Sequence, residues 1–141
     1  MMVETKEVEC PIYIVAPNPN EDLTQYIAME IAQRTGASYV MSVKSDIAAL
    51  VVELGGVWDR DDNELMIQDK TKTGVFKMVL DLWFKTKDWG DQADFRTHLS
   101  NFYQSNYVRI ELTNRVRYSE VMREFFIYVI SEIINELKKE L

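Results

Sequence analysis

The residues best equipped for chemistry in this chain are a run of carboxylates near its middle, Asp59, Asp61, Asp62, Glu64 and Asp69. Asp59, Asp61 and Asn63 repeat the D-x-D-x-N opening of a calcium loop. The sixth position of that loop is Glu64, where the sharp turn needs glycine, and the twelfth is Lys70, where a bidentate glutamate belongs. An EF-hand is therefore excluded. A looser Mg²⁺ or Mn²⁺ site remains open, formed by Asp59, Asp61 and Glu64 with Asp81 and Lys85 from a neighbouring strand. Carboxylates and a lysine on adjacent strands could support metal-dependent phosphoryl transfer, as in a small nuclease. The competing explanation is a hairpin turn, which takes Asp and Asn for backbone reasons alone. It is the stronger of the two, and under it no cofactor is required.

The other reactive side chains are isolated. His98 is the single histidine and Cys10 the single cysteine, so the usual His/Cys zinc ligand set cannot be filled. No Gly-x-Ser-x-Gly elbow accompanies His98, and no visible base accompanies Cys10. The loop Ala16-Pro17-Asn18-Pro19-Asn20 leads into a helix N-terminus, which can hold anions. It lacks the glycines that let a backbone approach a phosphate closely, and Glu21 and Asp22 would repel one. A formal net charge of −7 disfavours non-specific binding to a phosphate backbone. Arg109, Arg115, Arg117 and Arg123 form the one loose basic cluster, an alternative nucleic-acid contact that competes with ordinary surface ion pairing.

Stepping outward, the elements that would position these residues follow from hydrophobic period. Ile12 to Val15 is apolar on both faces and predicts a central strand at about 11–16. Leu23, Ile27 and Ile31 repeat every fourth residue and predict a helix at 21–35, with Asn20 as N-cap and Gly36 as stop. A second strand is expected at 38–43. A second helix is expected at 45–55, from Ile47, Leu50, Val51 and Leu54, ending at Gly55-Gly56. The strand-helix-strand order favours parallel pairing of the first two strands. Val57-Trp58 and Glu64 to Gln68 then flank the acidic turn as a hairpin. Phe76, Met78, Leu80, Leu82 and Phe84 alternate with Lys77, Val79, Asp81, Trp83 and Lys85, which predicts a further strand. A helix at 91–104, a half-exposed strand around Val108, Ile110 and Leu112, and a last helix capped by Ser119 complete the chain. A winged helix fails, since the link from Gly36 to Lys44 is too long and β-like and the second helix has nothing to read a base.

The fold class is thus α/β (α+β), one globular domain over 1–141 with a mixed sheet in the order βαβα-βββ-αβα. Residues 1–9 are charged and expected to fray. No apolar run approaches the ~18–20 residues of a membrane span, and the opening residues do not read as a signal peptide. With a lone thiol, these features predict a cytoplasmic protein.

The long C-terminal helix is the most informative feature. Phe125, Phe126, Val129, Ile130, Ile133, Ile134 and Leu137 spread its apolar surface beyond the ~100° of an ordinary surface helix. Such a helix is buried on two sides, either within the fold or in a dimer seam. The sequence therefore reads first as a non-enzymatic interaction or regulatory module, acting through protein–protein contacts and expected to be a homodimer.

Overall fold

The computed structural model describes residues 12–18, 23–41, 49–58, 62–88 and 106–140. Among them the chain order is β1 (Ile12–Val15), α1 (Thr24–Thr35), β2 (Ser38–Val40), β3 (Leu50–Val57), β4 (Leu65–Asp69), α2 (Val75–Trp83), β5 (Thr86–Asp88), β6 (Tyr107–Thr113), α3 (Asn114–Tyr118) and α4 (Glu120–Lys138). The strands form a 6-stranded mixed sheet in the order β2-β1-β3-β6-β4-β5. β1 lies parallel to both β2 and β3, and β3 is parallel to β6. β4 runs antiparallel to β6, and β5 parallel to β4. The mixed α/β class, the parallel pairing of the first two strands and the interior position of β1 are as expected. No helix among the described residues is long and apolar enough to cross a membrane.

Side-chain alternation gives the sheet two different faces. On one face Ile12, Ile14, Leu50, Val52, Leu54, Leu65, Ile67, Val108, Ile110 and Leu112 are buried under the helices. Ile27 and Ile31 of α1, Phe76 and Leu80 of α2, and Phe126, Ile130 and Ile134 of α4 complete that core. The other face carries a small apolar group, Val15, Val51 and Tyr107, and beside it buried charge.

Several elements differ from the sequence reading. The helix expected at 45–55 is instead strand β3 over its described residues, 50–55. Leu50 to Leu54 are buried on both faces, as an interior parallel strand requires, and a continuous apolar run fits a helical period as well as any other. Gly55 and Gly56 do not end a helix. They leave room for side chains crossing the strand: a Cβ on Gly55 would lie 2.2 Å from Glu111 Oε2, and one on Gly56 2.8 Å from Arg117 Nη1. The hairpin expected between Val57 and Gln68 is not formed either, because β6 inserts between β3 and β4 and pairs with both. β6 is accordingly buried along nearly its whole length rather than half-exposed, with only Arg109 intermediate.

The strand expected at 76–85 is helix α2. Apolar residues fill so much of this segment that period two and period 3.6 both fit it. The buried set, Phe76, Leu80 and Phe84, shows which period packs. Local chemistry favours the helix. Asp69 Oδ2 accepts a hydrogen bond from the first-turn amide of Lys77 at 3.0 Å, while Asp69 Oδ1 accepts from Thr71 N at 2.8 Å. A first-turn donor is thus satisfied from eight residues upstream. Lys77 Nζ then bridges to Asp81 Oδ2 one turn on, at 2.8 Å.

α1 begins at Thr24, and its N-cap position is Leu23, with φ 70°; Asn20 lies outside the described residues. Gly36 ends it at φ 78°, as expected. Lys138, in the last turn of α4, donates to the carbonyl of Thr35 and so serves the C-terminus of α1. Ser119 caps α4 as expected, accepting from Met122 N at 3.2 Å. The helix expected at 91–104, with His98, lies outside the described residues, as does Cys10.

Candidate functional site

Two places in the molecule concentrate unusual chemistry. The first is on the sheet face away from the helices. The ladder sets Val15, Glu53, Arg109 and Gln68 side by side across β1, β3, β6 and β4. Two residues further along, Gly55 pairs with Glu111. Arg109 joins the two carboxylates, with Nη1 2.5 Å from Glu53 Oε2 and Nη2 2.6 Å from Glu111 Oε2. Tyr107 donates its hydroxyl to Glu53 Oε1 at 2.8 Å. Glu53 and Glu111 are buried and Arg109 is nearly so. Burial acts to lower the guanidinium pKa, but the two carboxylates outweigh it and hold the pKa above its ordinary value. Burial, reinforced by the charge of Glu53, pushes the Tyr107 hydroxyl above its ordinary pKa. The result is a network in which the Tyr107 hydroxyl and both terminal nitrogens of Arg109 donate to carboxylates, an arrangement that specifies strand register.

The second place is a groove of about 600 Å³ between α2 and α4. The two helices run antiparallel: Trp83, at the end of α2, meets Phe125, near the start of α4, edge-on at 5.8 Å. Every α2 residue except Lys77 and Asp81 is apolar. Phe76 and Leu80 face the core, Val75, Val79 and Trp83 line the groove, and Met78 and Leu82 lie one step further round. Met78, Leu82 and Trp83 are 58 %, 74 % and 60 % exposed. On the α4 wall, Phe125, Tyr128 and Val129 give way toward the C-terminus to Glu132, Glu136 and Glu140. Sequence reasoning missed this groove because it took 76–85 for a strand. The signal was present in the helical spacing of Phe76, Leu80 and Phe84.

The structure places the sequence-predicted residues as follows. Of the C-terminal helix, Phe126, Val129, Ile130, Ile133 and Ile134 are buried by the chain itself, whereas Phe125 and Leu137 are partly exposed and line the groove. Of the metal alternative, Asp59 and Asp61 lie outside the described residues. Glu64 Oε1 accepts from the amide of Lys85 at 2.9 Å. Asp81 lies on a helix, not on the strand the alternative assumed, and accepts from Lys77 and from the Thr86 hydroxyl. Among the described residues no three His, Cys, Asp or Glu side chains form a metal-binding group.

The four arginines are not brought together into one basic face. Arg109 belongs to the buried network. Arg117, also buried, lies across the sheet's other face over Gly56 and donates to the carbonyls of Leu112 and Val57 at 3.1 and 3.2 Å. Arg115 pairs with Asp62 at 2.6 Å, and Arg123 donates to Arg117 O at 2.7 Å beside the ring of Tyr26.

No protein-family model matches the chain, and no curated protein matches it. Among solved structures the chain is similar to a bacteriophage poly-γ-glutamate hydrolase, with a TM-score of 0.59 and 15 % identity over 95 % of this chain and 87 % of that one. That likeness shows a shared mixed α/β fold extending over nearly the whole of both chains.

Proposed function

We propose that this chain is a protein-binding module whose docking surface is the groove between α2 and α4 together with the exposed face of α2, Met78 and Leu82, that borders it. The observation that carries the reading is α2 itself. A helix apolar around almost its whole circumference is expected to be covered on more than one side. The chain's own core covers Phe76 and Leu80 but leaves Met78, Leu82 and Trp83 exposed. Contiguous apolar surface of this kind on a folded chain marks an interaction site, and an exposed tryptophan within it is the residue type that most often anchors one. The homodimer expected from the sequence falls within this proposal, with a second copy as one occupant, and the cytoplasmic location expected from the lone thiol is part of it. The reading is tested by placing a photo-crosslinking side chain at Leu82 in the producing cell, with Met29 on α1, also more than half exposed, as the control. A discrete adduct from position 82 that is absent from position 29 is expected. Adducts of equal yield and pattern from both positions would remove the reading.

A second reading is a hydrolase, supported by the fold shared with the poly-γ-glutamate hydrolase. In open α/β sheets ligands bind outside the carboxyl ends of parallel strands where the strand order reverses. Here that point lies between β1 and β3, whose carboxyl ends lead into Ala16-Pro17-Asn18 and Trp58. Incubation with poly-γ-glutamate and measurement of chain length tests it. Unchanged chain length under conditions where an authentic hydrolase cleaves would end this reading.

A further inference from the structure

The charge of the groove narrows the kind of partner it fits. We infer that the occupant is a basic amphipathic helix, laid along α4 with its apolar stripe on Trp83, Phe125 and Val79 and its cationic end beside Glu132, Glu136 and Glu140. The inference rests on the proposal that the groove is a docking surface.

Glu132 and Glu136 lie one turn apart on α4, about 6 Å along its axis, and Glu140 follows in the turn after the helix ends at Lys138. Lys or Arg residues at the same spacing on a facing helix would meet them in register. Glu136 already pairs with Lys139 at 3.1 Å, but both side chains are 71 % exposed, a pairing weak enough to exchange for another cation. The C-terminal carbonyls of α4 add negative potential at the same end. At the other end Phe125, Tyr128 and Trp83 present only apolar and aromatic surface apart from the Tyr128 hydroxyl and the Trp83 indole N–H. Partner and groove therefore share one polarity, apolar at the Trp83 end and charged at the Glu140 end. A second copy of this chain would bring another acidic protein, of formal net charge −7, against the same glutamates. Charge complementarity therefore favours a basic segment over self-association.

The test uses the full chain and three fluorescein-labelled helical peptides of about 15 residues, alike in their apolar stripe but basic, neutral or acidic on the flanks. Fluorescence anisotropy is expected to show the basic peptide binding at least ~10-fold more tightly than the neutral one in low salt, an advantage largely lost at ~0.5 M salt. Glu132→Lys/Glu136→Lys/Glu140→Lys should abolish the preference for the basic peptide while leaving the neutral one bound. Leu82→Glu should weaken all three, and circular dichroism would show that both variants remain folded. Equal binding of neutral and basic peptides overturns the inference about charge but leaves the docking surface standing. Binding of none of the three overturns both. Concentration-dependent dimerisation at micromolar protein, abolished by Leu82→Glu and competing with the basic peptide, would assign the groove to a second copy and overturn the basic helix.

Discussion

Gly55→Ala is the sharpest perturbation this fold offers, because one methyl group would strike a buried carboxylate. The new Cβ would lie 2.2 Å from Glu111 Oε2 and 2.9 Å from its Cδ, where ordinary contact begins at 3.4 Å. Glu111 would therefore have to retreat by about 1.2 Å, and its 2.6 Å bond to Arg109 Nη2 would not survive that movement. Overpacking of this kind costs ~1–3 kcal/mol. A lost hydrogen bond to a charged group adds ~1.5–3 kcal/mol, and the stiffer unfolded chain returns ~0.4–1 kcal/mol. The net expectation is a loss of about 2–4 kcal/mol, read as a lower urea midpoint at unchanged slope. In a Glu111→Ala background the obstacle is gone, and Gly55→Ala should be neutral or stabilising by up to ~0.5 kcal/mol. The coupling between the two sites, ~2–4 kcal/mol, is the decisive quantity. If Gly55→Ala costs the same in both backgrounds to within ~0.5 kcal/mol, Glu111 does not lean over Gly55 and the account of the buried network is wrong.

Three further perturbations address other parts of the structure. Arg109→Met leaves Glu53 and Glu111 buried without their shared cation and should cost ~3–5 kcal/mol at pH 7.5. A urea midpoint equal to that of the unsubstituted chain would contradict this. Ser131 is buried on α4 with no hydrogen-bond partner for its Oγ among the described residues, so Ser131→Ala should raise stability by ~0.5–1.5 kcal/mol in urea unfolding; a loss would reveal a partner. Asp81 is held below its ordinary pKa: burial opposes this, but the Lys77 and Thr86 hydrogen bonds outweigh it. Its contribution is therefore complete above the unfolded carboxylate pKa near 4 and fades as pH falls through the lower folded value. Because the pair is exposed, Asp81→Asn should cost only ~0.3–0.5 kcal/mol at pH 7, and the difference should shrink as pH falls below the unfolded carboxylate value.

How much was legible in the sequence depended on whether a segment's apolar residues fit one period or two. α1 was legible because Leu23, Ile27 and Ile31 repeat every fourth residue and Gly36 marks the stop. β1 was legible because its apolar run is too short for a helix and is closed by Ala16-Pro17, and α4 because its apolar residues recur at helical spacing and Ser119 is an N-cap where the sequence placed it. Segments 50–57 and 75–83 were not, because each is apolar at nearly every position and satisfies both templates. In the first, tertiary burial on both faces selects the strand. In the second, the decisive residue is Asp69, which lies outside the helix it stabilises and which sequence reasoning read as part of a metal or turn cluster. The buried network was hidden for a different reason. Glu53 is far in sequence from Arg109 and Glu111, and a charged residue in a strand normally signals a solvated face, so only the pairing of β3 with β6 shows that these charges neutralise one another.

The same misassignment explains why the C-terminal helix seemed to require a dimer. With 76–85 read as a strand, α2 was missing from the helices available to cover α4, and the wide apolar arc seemed to need more material than one chain supplies. With α2 in place, α1, α2 and the sheet bury Phe126, Ile127, Ile130 and Ile134 completely. The excess apolar surface does not vanish, however. It moves to α2, which covers part of α4 with Phe84 and Trp83 and in doing so exposes Met78 and Leu82 on its own far side. A nine-residue helix with two charged positions cannot present one apolar face to the core and a polar face to water. Polar substitutions at Met78 and Leu82 would make it an ordinary amphipathic helix without touching the core, so their apolar character is not required for folding. The outward face of α2 is therefore where the need for a partner now resides, and Leu82→Glu should abolish partner binding while leaving the unfolding midpoint within ~0.5 kcal/mol of the unsubstituted chain.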